Sequence, residues 1–132
     1  MSLAEQVSDY LRLNGDLGDW SREQLVEWVE LGLRTQRLVC IWSAGEIVGV
    51  GCARLLNEGD DTRSWTTVHD ESASLVFIDL VVVTEPVMPV LWQAMKKRFG
   101  NKDEVLFRRL RDGRLRRFDL KRFEQHLTRH GN

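Results

Sequence analysis

Along the first 35 residues, apolar positions recur every three or four places. Leu3, Val7, Tyr10 and Leu11 follow the capping-box spacing of Ser2-Leu3-Ala4-Glu5 and predict an amphipathic helix, which Asn14-Gly15-Asp16 breaks. Ser21-Arg22-Glu23-Gln24 repeats the box. Leu25, Trp28, Val29 and Gly32 then mark the buried stripe of a second helix ending near Thr35. Beyond it the period changes. Leu38 to Ser43 reads as a strand, Ala44-Gly45 turns it, and Glu46 to Leu56 reads as a longer strand. Gly49 and Gly51 sit inside that strand, where glycine marks a bulge or a close backbone approach. Residues 57–74 are polar and loop-like, with Trp65 as their one large apolar anchor. Leu75 to Val83, LVFIDLVVV, is almost wholly apolar and predicts a central strand.

Thr84 or Glu85 can cap a third helix with Pro86 at its first position, and Val87, Val90, Leu91, Met95 and Phe99 would form its buried face. Lys96, Lys97 and Arg98 suit the C-terminal end of the helix dipole, and Gly100 ends the helix. A hairpin follows from Val105, with Asp112-Gly113 as its turn signal. A final helix starts near Asp119 and puts Leu120, Phe123 and Leu127 on one side. The order α-α-β-β-loop-β-α-β-β-α implies an α/β (α+β) fold: a mixed, mostly antiparallel sheet with helices on its faces. Residues 1–132 read as a single domain.

Composition narrows the picture. With 42% hydrophobic and 30% charged residues, the chain has the balance of a globular protein that buries a core. No apolar run is long enough for a transmembrane helix, and the first residues lack a signal-peptide pattern, so the expected compartment is the cytoplasm. Cys40 and Cys52 both fall in strands, which predicts buried thiols. The net charge of -1 conceals an asymmetry: residues 1–95 carry 6 basic and 15 acidic side chains, residues 96–132 carry 13 and 5. A basic end attracts acidic partners at long range, and salt screens that attraction.

That basic charge concentrates in LFRRLRDGRLRRF, residues 106–118, with six arginines: Arg108, Arg109, Arg111, Arg114, Arg116 and Arg117. A two-residue turn at Asp112-Gly113 would set Arg111 opposite Arg114, Arg109 opposite Arg116 and Arg108 opposite Arg117. Like charges facing each other destabilise a hairpin. Internal carboxylates, water and salt, or an acidic partner (a carrier protein, phosphate groups or nucleic acid) could each offset that repulsion. Phe107 and Phe118 at its base read as core.

Asp79 is the one acid in the central strand. A carboxylate there must be hydrogen-bonded, paired or shifted in pKa. It is either an aspartate paired with an arginine or an orienting, catalytic carboxylate. Of the three histidines, His126 and His130 stand four apart near the C-terminus, with no third ligand to complete a metal site. Phosphate-binding and nucleophile-elbow motifs are absent from the sequence.

The order of elements resembles the GNAT acyltransferase fold, in which antiparallel strands lead to a central strand whose end meets a helix. Typical members cradle the acyl-CoA pyrophosphate in a glycine-rich loop after that strand. Here the loop reads Thr84-Glu85-Pro86-Val87-Met88-Pro89, without glycine. One branch, the RTX toxin-activating lysine acyltransferases, lacks that cradle and takes an acyl chain from acyl carrier protein. The chain resembles it in Leu38 to Leu56, in Phe77-Ile78-Asp79, in Met95-Lys96-Lys97-Arg98-Phe99 and in the hairpin around Asp112-Gly113. The resemblance implies an acyltransferase with Asp79 as its acidic catalytic residue and acyl carrier protein or acyl-CoA as donor. It also implies the arginines of residues 108–117 as a docking face. Leu80 stands where that branch has tryptophan, and Leu17, three residues before Trp20, stands where it has its catalytic histidine. A domain that has lost catalysis and presents its basic hairpin to an acidic partner or nucleic acid is the competing expectation.

Overall fold

The computed structural model describes residues 1–15, 17, 20–60, 72–73, 75–100, 102–108 and 114–130. Both capping boxes form. Ser2 accepts from the Glu5 N–H while Glu5 accepts from the Ser2 N–H, starting α1 (Leu3–Asn14), and Ser21 and Gln24 do the same for α2 (Arg22–Arg34). Arg22 ties the two helices together through Asp9 at 3.1 Å and Glu5 at 3.4 Å. The buried stripe of α1 runs through Ala4, Val7, Ser8 and Leu11, leaving Leu3 exposed.

Five strands follow the predicted order: β1 (Leu38–Ser43), β2 (Glu46–Leu56), β3 (Leu75–Val83), β4 (Glu104–Arg108) and β5 (Leu115–Asp119). They lie side by side in that same order, so β3 is central. Pairing is antiparallel except between β3 and β4, which α3 (Met88–Phe99) connects as a crossover. α4 (Leu120–His130) closes the chain's described part, with the Asp119 carboxylate accepting from the Arg122 N–H at 2.8 Å. This is the mixed, mostly antiparallel α+β sheet with flanking helices that the apolar pattern implies. Among the described residues no helix is long and apolar enough to cross a membrane.

Each sheet face builds its own core. α1 and α2 pack on Leu38, Val50, Cys52 and Val82; α3, with Phe123 of α4, packs on Ala53, Leu55, Val76 and Ile78. The second contact explains one strand glycine. A Cβ on Gly51 would stand 2.6 Å from the Met95 sulfur, so α3 seats directly on β2 only because the side chain is absent.

Two expectations need correction. α3 begins at Met88, with Pro89 in its first turn, rather than at Pro86. The Thr84 N–H still bonds Val48 at 2.9 Å, so the chain leaves the sheet later than Thr84 capping would require. The shift in phase buries Trp92 and leaves Val90 57% exposed. The hairpin register is also displaced by two positions: Val105 faces Phe118, Phe107 faces Arg116, and Arg108 faces Leu115. Arg108, Arg116 and Arg117 are thus each opposite an apolar residue, which removes the Arg108–Arg117 and Arg109–Arg116 pairs a two-residue turn would impose. An even displacement keeps every side chain on its predicted face. The Asp112-Gly113 turn, Arg109, Arg111 and Trp65 lie outside the described residues.

Candidate functional site

Asp79 owes its position to an irregularity in β3. Along the β2 ladder Cys52 faces Leu80 and the next residue, Ala53, faces Ile78. Asp79 is the extra residue, a β-bulge that re-aims its side chain. Arg54, one place past the bulge on β2, faces Phe77 and lays its guanidinium over that ring at 5.2 Å. It meets the Asp79 carboxylate with Nε 3.0 Å from both oxygens and Nη2 2.8 Å from Oδ1. The arginine is 2% exposed and the aspartate 15%. An ion pair this deep is worth little against an apolar substitute, but either partner alone is a buried charge.

Burial raises the Asp79 carboxyl above its ordinary pKa, and the Arg54 charge and hydrogen bonds limit the rise. Arg37 lines the same small cavity under α2, and burial, then repulsion from Arg54, lowers its pKa. Cys52 is there too, with burial pushing its thiol well up; burial raises Cys40 to about 11. Both sulfurs are therefore protonated at neutral pH and are poor nucleophiles.

At the same bulge β3 and β4 part. Among the described residues their parallel ladder stops at Ile78 and Phe107, while β3 runs on against β2 as far as Val83. The gap is a cleft of about 420 Å³. Leu80 and Val81 form one wall and Phe107 the other, with Phe123 and Leu127 of α4 over the top and Met88 at the start of α3. Polar groups enter from Asp79, Arg108 and His126. A mostly apolar cleft with a few convergent polar groups is the usual form of a small-molecule site. Among the described residues no three metal-ligating side chains gather.

The candidate residues separate. Asp79 and Arg108 both line the cleft. Arg117 does not: it binds Glu104, and Glu58 at 2.7 Å, on the hairpin face that carries Leu106 and Leu115. Those acids raise its pKa, and Arg117 in turn lowers that of Glu104. Arg114, just before β5, and Arg116, on it, are exposed. Sequence reading weighed His126 only as half of an incomplete metal pair; it stacks on Phe118 at 5.7 Å and lines the cleft. Its spacing was a usable signal, since Phe123, His126 and Leu127 share one side of a helix. It also missed Arg54, because a lone arginine in a strand gives no sign of its partner. Leu17 packs with the α1–α2 core.

No protein-family model matches the chain, and no curated protein sequence does. Among solved structures, the chain is similar to the GNAT-like decarboxylase GphF in complex with isobutyryl-CoA, with a TM-score of 0.55 at 16% identity. The match covers 79% of this chain and 60% of that one, so the chain spans about three fifths of the neighbour's length. The likeness establishes a GNAT-like fold.

Proposed function

We propose that the chain is a GNAT-related protein that holds an acyl thioester in the cleft between β3 and β4. One observation carries this reading. β3 continues from Asp79 to Val83 along the gap, beyond its last pairing with β4 among the described residues. An extended ligand with amides, such as a pantetheine arm, can take the place of the missing strand and bond those backbone groups. Leu80, Val81 and Met88 supply apolar contact for it. The similar GNAT-like decarboxylase was solved with isobutyryl-CoA, which supports the same ligand chemistry here.

The turn before α3 favours a carrier-borne arm over free CoA. Thr84 and Val87 spend their N–H groups on the Val48 and Glu85 oxygens, and Pro86 and Pro89 have none. Glu85 adds negative charge where CoA would bring its pyrophosphate. Acyl carrier protein is the donor this loop suits. In this reading the work of Asp79 at the narrow end is to orient an incoming amine. Arg54, bonded to both oxygens, holds the carboxylate in place to accept a hydrogen bond from that amine.

Calorimetry with isobutyryl-CoA and isobutyryl-pantetheine tests the reading. Both should bind, the pantetheine thioester at least as tightly, and Val81→Trp should abolish both while the protein stays folded. Val81→Trp binding as well as the parent would remove the cleft from the account.

A second reading has its own observation. Lys121 and Arg122 occupy the first turn of α4, beside the Asp119 cap, and oppose the helix dipole that Asp119 favours. Arg116 is exposed on the neighbouring strand. An acidic partner would offset that cost, with or without catalysis. Arg116→Glu with Arg122→Glu should then abolish capture of an acidic carrier and leave isobutyryl-pantetheine binding unchanged. A steep salt dependence with DNA would point instead to nucleic acid.

A further inference from the structure

We infer, on the thioester reading above, that the cleft takes a short acyl group and rejects a long one, with Leu127 and Phe123 of α4 setting the limit. The narrow end lies where the β3–β4 ladder stops, at Ile78 and Phe107. Behind it stand aromatic rings in mutual contact. Trp92 and Phe123 have centroids 4.9 Å apart, Phe107 and Phe118 5.8 Å, and Phe107 and Phe123 6.1 Å. Rings at such separations touch, and a methylene chain cannot thread between them. Phe123 is almost fully buried and also packs on Phe118, so it cannot swing aside without opening the core.

That wall of touching rings gives an acyl chain no path past the narrow end, so a long chain is left to lie outside the cleft. The chain-length limit therefore runs against the fatty acyl donors that the toxin-activating resemblance implies.

Leu127 is half-buried at the cleft's upper edge, so shortening it should enlarge the site without breaking the core. The test is the affinity of butyryl-pantetheine and decanoyl-pantetheine for the intact chain, its Leu127→Ala variant and the milder Phe123→Leu variant. The parent should bind the decanoyl thioester about tenfold more weakly, as expected for methylenes that do not fit. Both variants should shrink that ratio to less than about threefold. Equal affinities in the parent, or a ratio that neither variant moves, overturn the limit alone. Failure of both thioesters to bind overturns the thioester reading, and the limit with it.

Discussion

Arg54 and Arg117 each grip carboxylates with several hydrogen bonds, yet they do opposite things for the protein. Arg54 is sealed beside Asp79 at the bulge of the central strand, in the small cavity under α2. Arg117 lies in the open on an edge strand, between Glu104 and Glu58. Water solvates either partner of the surface cluster when the other is removed, so its contacts carry little weight. The buried pair has no such recourse. Two clusters that look alike in the sequence thus differ in kind: one is a condition of the fold and the site, the other a local trim of charge.

The largest effect should come from breaking the buried pair. Asp79→Ala leaves Arg54 charged in the interior and should cost about 3–5 kcal/mol. That corresponds to a loss of roughly 10–20 °C in Tm for a chain of this size. Replacing both, as Arg54→Met with Asp79→Leu, should recover most of the loss in urea denaturation, since apolar groups of similar volume fill the space. A double variant as unstable as the single one would mean that the pair's stabilising contribution is not electrostatic.

Next in size is the packing that joins helix to sheet beneath the cleft. Gly51→Ala forces a methyl against the Met95 sulfur, and should cost about 1–3 kcal/mol by overpacking. Met95→Ala in the same chain should relieve the clash, giving a smaller combined loss than the two single losses predict.

The clusters should also separate by pH. Burial raises the folded-state pKa of Asp79, so the folded chain holds that proton more tightly than the unfolded one. Its contribution is greatest below the ordinary carboxyl pKa and declines as pH rises through the folded value. Glu104 behaves in reverse, because Arg117 lowers its pKa. Its contribution is present above the ordinary value and is lost as pH falls through the folded one. Carboxyl-carbon NMR titration should place the Asp79 midpoint above the usual aspartate range and the Glu104 midpoint below the usual glutamate range. The smallest effect belongs to Arg117→Gln, which should hardly move Tm, with any difference vanishing at 1 M salt.

The parts legible in the sequence were those set by local rules. The two capping boxes, the glycine where α3 meets β2 and the apolar run of β3 each report their own structure. The hairpin register was not legible from Asp112-Gly113. The strands pair two places away from that register, with Arg117 held by Glu58 and Glu104. Asp79 stood out as an acid in an apolar strand, but the bulge that turns it, and Arg54 that holds it, depend on ladder geometry no local pattern encodes. The cleft is hidden for the same reason. It opens where, among the described residues, β3 and β4 stop pairing, and α4 roofs it with residues more than forty places further along the chain.

The most direct test of that cleft is an amide NMR titration of the intact chain with isobutyryl-pantetheine. The account predicts saturable shifts at Asp79 to Val81, Phe107, Phe123 and Leu127, with β1 and the α1–α2 pair unmoved. Saturable shifts centred on β5 and the first turn of α4, or none at all, would contradict it and leave the GNAT-like frame without a thioester site between β3 and β4.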